Sequence, residues 1–297
     1  MLLDRNIPVG FILNKVKYDL LLVGVIGGGV YFIKHHFAHV LPEMPIAIPA
    51  FIGTAISVIL SFKLNQSYDR WWEARKIWGA IVNDSRNLVL RLRALLPEDA
   101  RADLEVMTRR QMAWCHALGQ ALRGKPPLAG MERFLSPDEL RTVEGHTNRP
   151  LALLDLNAQH IGRLREAGRL DAYTAVELSR TITALCDHMG MAERIKTTVF
   201  PVTYRLFLHL FIYLFVISLS ISLEQIAWYF ELPLLLLISS SFLLLEKSAK
   251  HLQDPFSNRP TDTAVTAIAT TIEINLKQLL GEKDVPATHA PEKFYLM

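Results

Sequence analysis

Four long runs of apolar residues interrupt an otherwise ordinary mixture of apolar and polar positions. They cover residues 20–33, 44–62, 206–223 and 232–245. A helix needs about 20 mostly apolar residues to cross roughly 30 Å of hydrocarbon, and each run with its neighbours comes close to that length. The pattern therefore predicts four transmembrane helices, arranged as two hairpins.

The segments around these runs contain no alternation of apolar and polar positions long enough for a β-sheet, so they are predicted to be helical as well. The chain divides accordingly. The segments are an N-terminal segment (1–17), transmembrane helices 1 and 2 (18–62), a helical region continuous with helix 2 (63–203), transmembrane helices 3 and 4 (204–246), and a C-terminal loop, helix and tail (247–297). The predicted fold class is an all-α membrane protein.

The second apolar run is predicted to continue beyond the bilayer as one helix. Gly79 is the only glycine or proline between Gly53 and Pro97, and a helix over residues 50–96 would be roughly 70 Å long. Past the membrane it shows apolar positions at spacings of three and four, typical of a face packed on another helix. These positions are Trp71, Ala74, Trp78, Ile81, Ser85, Leu88, Leu92 and Leu95.

Two further local patterns concern helix packing and helix ends. Gly24 and Gly28 lie four residues apart in the first run, a spacing that lets two helix backbones approach closely in lipid. The last predicted helix has an apolar face that includes Ile272 and Leu276, a cap near Asp262 and a closing Gly281. We expect it to pack on the region 63–203.

Composition agrees with a membrane protein, since apolar residues make up 51% and charged residues 21% of the 297 positions. The net charge of +3 is too small to indicate a nucleic-acid partner. Basic residues flank the hairpins on one side, at Arg5, Lys15, Lys17, Lys63, Arg70, Arg75, Lys76, Arg194, Lys196, Arg205, Lys247 and Lys250. Because basic flanks stay in the cytosol, both termini and the region 63–203 are predicted to be cytosolic.

The sequence offers little enzyme chemistry. Cys115 and Cys186 lie far apart and outside any C-x-x-C pair, and none of the ten histidines belongs to an H-E-x-x-H or comparable pair. No catalytic residue, metal or cofactor is predicted. His209 lies inside the third apolar run, where a titratable side chain is either a functional group or an interhelical hydrogen-bond partner.

Several motifs resemble one known family. They are "NQSYDRWWEARKIWG", "DSRNL", "AERIKTTVFPVTY" and "DPFSNRPTDTAVTAIATTIEINL", and their order and the four-span pattern are similar to the bacterial branch of the bestrophin family. The resemblance implies a homopentameric ion channel of the bacterial inner membrane, with one pore on the symmetry axis lined by the second transmembrane helix. Its partners would be its own copies, membrane lipid and monovalent ions.

The resemblance also implies two constrictions along the pore. A gapless alignment from Tyr68 puts an apolar neck at Ala47, Phe51 and Ala55, which lie four apart on one helix face. Family necks are commonly bulky at all three levels, so either this neck is wider, with Phe51 as its main ring, or the register differs by one residue. A cytosolic aperture falls at Leu170, or at Tyr173 if the alignment gap is placed differently.

Animal members of the family hold calcium with a dense acidic run after an N-P-F-like motif. The corresponding stretch here keeps Asp254 and Asp262 but has Asn258, Arg259 and Pro260 where carboxylates would be required. Calcium needs six to eight oxygen ligands, so we expect no activation by calcium.

The choice of ion is left open by the sequence. The bacterial branch resembles cation channels, notably for sodium, and Asp69, Glu73 and Asp171 are candidate acids at the pore mouths, each equally explicable as an ion-pair partner. The alternatives are an anion channel and, from another class, a membrane-anchored scaffold or sensor that conducts nothing.

Overall fold

The computed structural model describes residues 8–37, 43–198, 202–223, 226–290 and 295. The α-helices in these residues are α1 (Val9–His36), α2 (Ala47–Leu95), α3 (Arg101–Leu122), α4 (Pro137–Glu144), α5 (Arg149–Glu166), α6 (Ala172–Thr197), α7 (Val202–Ser222), α8 (Trp228–Gln253) and α9 (Val265–Leu280). The all-α prediction is confirmed for this part of the chain. So is the continuous second helix, since α2 has 49 residues without a break.

The chain forms two compact units. Of the described residues, 8–37, 43–70, 202–223 and 226–253 form what we call the apolar unit, and 71–198 with 254–290 form the polar unit. Helix α2 contributes its first part to the apolar unit and the remainder to the polar unit. The N-terminal segment predicted at 1–17 lies outside the described residues up to position 7.

Helices α1, α2, α7 and α8 are long and apolar enough to cross a membrane. This confirms the four apolar helices expected from the sequence. In the apolar unit, α1 packs against α7 and α8. The buried apolar side chains there are branched aliphatic residues and phenylalanine, for example Val23, Ile56, Ile212 and Phe215.

The close helix approach on α1 occurs at Gly27. A Cβ atom added there would lie 3.3 Å from Leu235 Cδ1 of α8, whereas one added at Gly24 or Gly28 would meet nothing within 4 Å. The glycine spacing thus indicated the correct helix and kind of contact, but the packed residue is the neighbour of the predicted pair. The apolar unit uses this small residue to bring α1 onto α8.

The predicted apolar face of α2 forms part of the core of the polar unit. Ala74, Trp78, Ile81 and Leu88 are fully buried. Trp71 is half-buried. The prediction is wrong for Leu95, which is 40% exposed, because the next residue, Leu96, lies four positions after Leu92 on the same side and is the one packed on the core.

Helix α9 packs against α3 in the polar unit, as expected for the last helix. At Gly119 the two helices come so close that an added Cβ would lie 2.6 Å from Val265 Cγ1. Gly281 ends α9 in the left-handed region, at φ 83°. The predicted cap at Asp262 is wrong: α9 begins at Val265 after Ala264, and the Asp262 carboxylate instead accepts from the backbone N–H of Arg259 at 3.0 Å.

Candidate functional site

One side of α2 within the apolar unit is exposed along its whole length. The exposed side chains recur every three or four residues and alternate between apolar and polar types. We call nine of them the α2 face, namely Ala47, Phe51, Thr54, Val58, Ser61, Phe62, Asn65, Tyr68 and Asp69. Ile48, Ala50, Ser57 and Gln66 beside them are also exposed. Residues of the opposite side, such as Ile56, Leu60 and Ser67, are buried. The α2 face is therefore a surface that the described residues leave exposed.

The α2 face carries hydroxyl groups within the apolar run 44–62 and an amide and a carboxylate just beyond it. The Thr54 hydroxyl donates to the carbonyl of Ala50 at 2.9 Å, which satisfies it within the helix. Asn65 presents an amide, and Asp69 a carboxylate. Polar groups on a spanning helix are costly in lipid and ordinarily face a bundle interior or a water-filled space.

The predicted neck residues lie on or beside the α2 face. Ala47 is exposed, Phe51 is 76% exposed, and Ala55 is half-buried. Phe51 is thus the large side chain of the three and the one that extends furthest from the helix. The exposed position one turn after Phe51 is Thr54 rather than Ala55.

The three candidate mouth acids differ in their contacts. Asp69 is exposed and makes no ion pair with any residue that the structure describes. Glu73 pairs with Lys76 at 2.6 Å. Asp171 caps α6, where hydrogen bonds from the Thr174 hydroxyl and the backbone N–H groups of Thr174 and Tyr173 lower the pKa of its carboxyl. Asp69 is the acid left available to an outside cation.

The two candidates for the cytosolic aperture have opposite environments. Leu170 is 5% exposed and belongs to the core of the polar unit. Tyr173, in the first turn of α6, is 76% exposed. Of the two side chains, Tyr173 is therefore the one on the surface.

A buried ion pair joins α2 to α8 in the apolar unit. Lys63 Nζ lies 2.8 Å from Glu246 Oε1, and the side chains are 1% and 0% exposed. The sequence placed Lys63 among the basic flanks, and nothing in the local pattern identified Glu246 as its partner. Both charges are out of contact with water, so their pairing is what makes their burial tolerable.

A second ion pair joins α1 to α8. Lys34 Nζ lies 2.9 Å from both carboxylate oxygens of Glu231 and 2.7 Å from the carbonyl oxygen of Ser220. The Ser220 hydroxyl donates to the same carboxylate at 2.5 Å. Three helices of the apolar unit thus share one nearly buried charge cluster.

The acids of the 254–262 loop are already engaged in the polar unit. Lys196 Nζ lies 3.0 Å from Asp254 Oδ2, and the Ser257 hydroxyl donates to the same oxygen. Although burial acts to raise the pKa of Asp254, these hydrogen bonds and the Lys196 charge lower it overall. Burial raises the pKa of Asp262. Among the described residues, no three His, Cys, Asp or Glu side chains are grouped to hold a metal ion.

Three histidines of the polar unit each contact one carboxylate. The pairs are His116 with Glu273 at 2.8 Å, His160 with Asp103 at 2.8 Å, and His188 with Asp84 at 2.9 Å. The His160 ring also accepts from Arg110 at 3.1 Å, and burial, followed by the Arg110 charge, lowers its pKa although Asp103 opposes this. These contacts account for the histidines as structural groups.

Neither cysteine is activated. Burial raises the pKa of the Cys115 thiol to about 12, although the hydrogen bonds with Ser85 and Gln111 oppose the shift. Burial also raises the pKa of Cys186. A thiolate is the reactive form, so both side chains remain unreactive thiols near neutral pH.

Comparison with known proteins finds similarity along nearly the whole chain. A family model described as bacterial/fungal bestrophin protein matches residues 6–278. A voltage-dependent anion channel-forming protein of Escherichia coli strain K12 is 30% identical over 286 residues, covering 96% of this chain and 93% of the relative. One of Ralstonia nicotianae is 28% identical over 289 residues, covering 97% and 94%.

Solved structures agree with these relatives. A crystal structure of a bacterial bestrophin homolog from Klebsiella pneumoniae superposes with a TM-score of 0.83 at 29% identity, covering 91% of this chain and 100% of the other. Another, described as a membrane protein, gives a TM-score of 0.84 at 29% identity, with 91% and 100% covered. The fold and the apolar helices are thus shared with membrane proteins.

Proposed function

Because this chain belongs to the bacterial/fungal bestrophin family, a family of ion channels rather than enzymes, we propose that it is the pore-forming subunit of a channel for monovalent ions in the bacterial inner membrane. The observation that carries the proposal is the α2 face. It is exposed over its length and mixes apolar with hydroxyl, amide and carboxylate groups, as the wall of an aqueous path would.

A conducting path requires several copies of the chain. Four spanning helices in one copy leave little room for a water-filled channel, so copies arranged around an axis would enclose the pore. We propose a homopentamer in which each subunit turns its α2 face to the axis, with both termini in the cytosol. The flanking basic residues support this orientation.

The proposed constrictions follow from exposure. Phe51 forms the main ring of the neck, with Ala47 and Ala55 on neighbouring turns, because its side chain is the large one exposed there. Tyr173 forms the cytosolic aperture, since Leu170 is packed in its own subunit's core. A neck made from one aromatic ring and two alanines is wider than one that is bulky at three levels.

We propose monovalent cations, sodium first, as the conducted ions. The support for cations comes from Asp69, which lies on the α2 face as an exposed carboxylate with no ion pair among the described residues. A ring of such carboxylates, one from each subunit, would concentrate cations at that end of the path.

Anions are the second candidate, and the names of the relatives favour them. The proteins of Escherichia coli and Ralstonia nicotianae are both named as anion channel-forming, so the names give no support to the sodium prediction. The exposed Lys76 of α2 lies seven residues after Asp69, but its ammonium is paired with Glu73.

The test is the reversal potential of purified protein in planar bilayers, under a sodium chloride gradient. We expect the sign for cation permeation, and we expect the sodium-to-chloride permeability ratio to fall at least about threefold in Asp69→Asn. Glu73→Gln is the matched control, since Glu73 is already neutralised by Lys76.

Each other outcome decides against one part of the proposal. The opposite sign of potential in the unchanged protein would select the anion channel. An Asp69→Asn ratio equal to that of the unchanged protein would remove Asp69 from the ion path. No current from protein that is folded and inserted would leave the non-conducting scaffold or sensor.

Calcium is expected to leave the open probability unchanged. Lys196 occupies the Asp254 carboxylate, and Arg259 stands where the family's calcium loop needs an acid. The Lys196 ammonium therefore occupies the place beside the Asp254 carboxylate where a bound calcium ion would lie. The measurement is single-channel recording before and after addition of calcium to the cytosolic side; a severalfold rise in open probability would contradict the expectation.

A further inference from the structure

His209 of α7 has a fixed orientation inside the apolar unit. Its Nδ1 lies 2.9 Å from the carbonyl oxygen of Arg205, one turn earlier in the same helix. A carbonyl can only accept a hydrogen bond, so Nδ1 carries a proton. In the neutral ring Nε2 is then the nitrogen with a lone pair, and it points away from the Arg205 carbonyl.

The Nε2 atom faces a carboxylate oxygen that lacks a hydrogen bond. It lies 3.9 Å from Glu246 Oε2, a buried atom with no hydrogen-bond partner among the described residues. The other carboxylate oxygen accepts from Lys63 Nζ at 2.8 Å. With His209 neutral, two acceptors therefore face each other at a separation longer than a hydrogen bond, and a proton on Nε2 would draw them together into one.

Apart from the exposed Arg205, one turn before His209 on α7, the charges beside this gap are paired. Lys247, the next residue of α8, pairs with Asp19 of α1 at 2.9 Å. Tyr213, one turn further along α7, has its ring centre 6.4 Å from that of His209. From α2, Lys63 is bound to Glu246 itself. The His209 side chain is 23% exposed and lies near the start of its span, four residues after Arg205, so a proton can reach it from the membrane boundary although Glu246 is fully buried.

We propose that His209 and Glu246 form a proton-binding site. A proton taken up from water at Nε2 converts the facing acceptors into an imidazolium–carboxylate hydrogen bond. That bond joins α7 to α8 and, because Glu246 also holds Lys63, to α2. The arrangement becomes a carboxylate between two cations, and the proton is the ligand that completes it.

Proton binding at this site acts on the helix that carries the α2 face. Lys63 lies on α2 between the exposed Phe62 and Asn65, so any change in how Glu246 holds Lys63 bears directly on that helix. We therefore expect acid to change the channel current. This consequence rests on the proposed function, whereas proton binding itself does not.

The binding step is tested by thermal unfolding of the purified full chain in detergent at about pH 8 and about pH 5.5, on either side of the ordinary histidine pKa of roughly 6.5. We expect the Tm difference between the unchanged protein and His209→Gln to grow by about 2–4 °C at the lower pH. His251→Gln is the matched control, because His251 contacts Lys15 and not Glu246. A difference that stays constant with pH would overturn the site.

A second variant keeps the test decisive if His209→Gln does not fold. Lys63→Met/Glu246→Gln removes both charges of the buried pair together and retains His209. In that background the increase in Tm that protonated His209 provides at the lower pH should vanish. Its persistence would show that the proton binds without Glu246, and would also overturn the site.

The functional step is tested by the ratio of bilayer currents at the same two pH values. We expect this ratio to differ from one by at least about twofold in the unchanged protein and to return to about one in His209→Gln. A ratio near one in the unchanged protein would overturn the regulation even if the unfolding test supports proton binding. A complete absence of current would instead count against the proposed channel.

Discussion

Lys63→Met alone is expected to lower the stability of the purified protein by about 3–5 kcal/mol, because it leaves the Glu246 carboxylate buried without a counter-charge. Glu246 is 0% exposed and its second oxygen has no hydrogen bond among the described residues. The carboxylate must then take up a proton or draw in water, and both weaken the packing of α2 on α8. Thermal unfolding in detergent measures the loss.

The double variant Lys63→Met/Glu246→Gln should recover most of that loss, because removing both charges also removes the cost of burying them. Lys76→Met is the matched control on the same helix: its pair with Glu73 is solvent-exposed and should contribute no more than about 1 kcal/mol. If Lys63→Met were as mild as Lys76→Met, or if the double variant were no better than the single one, the buried pair would not stabilise the apolar unit.

The features that sequence reasoning predicted correctly depend on short-range periodicity. The four spans follow from local hydropathy, and the unbroken α2 follows from the scarcity of glycine and proline. The buried positions Ala74, Trp78 and Ile81 follow from the helical repeat, which selects one side of a helix whatever packs against it. The repeat allows a step of either three or four after Leu92, and the structure uses the step of four, so Leu96 packs on the core and Leu95 is exposed.

The contacts that sequence reasoning missed join residues distant along the chain. Lys63 and Glu246 are 183 positions apart, and each looks like an ordinary charged residue at the end of a span. The position of Glu246, directly after the fourth apolar run, was nevertheless a usable signal. A carboxylate buried at the end of a span is made tolerable by a cation on another span, so such a partner could have been sought.

The candidate site likewise combines features that the sequence predicts with features that only the structure shows. The alignment identified a helix and a spacing, but only the exposure of the side chains separates Phe51 from the half-buried Ala55 and Tyr173 from the buried Leu170. Likewise, Asp69 and Glu73 are equivalent acids in the sequence. They differ because Lys76 lies three residues from Glu73 and reaches its carboxylate, whereas Asp69 points to the open side of α2.

Phe51→Ala is expected to raise the single-channel current of the proposed channel by roughly tenfold, which corresponds to a barrier lower by about 1.4 kcal/mol. Phe51 is 76% exposed on the α2 face. In a symmetric assembly its ring would be repeated in every subunit and would form the apolar constriction that excludes water. Alanine at 51 would leave alanine at all three neck positions, so the barrier to wetting should fall.

Phe207→Ala is the matched control, because it removes the same atoms from an exposed position on α7, where Phe207 is 58% exposed. Its current should equal that of the unchanged protein. Phe51→Trp should reduce the current, since the larger ring narrows the same constriction. Equal currents for Phe51→Ala and Phe207→Ala would move the neck away from Phe51. A rise in both would mean that the loss of an aromatic ring, rather than its place on the α2 face, controls conduction.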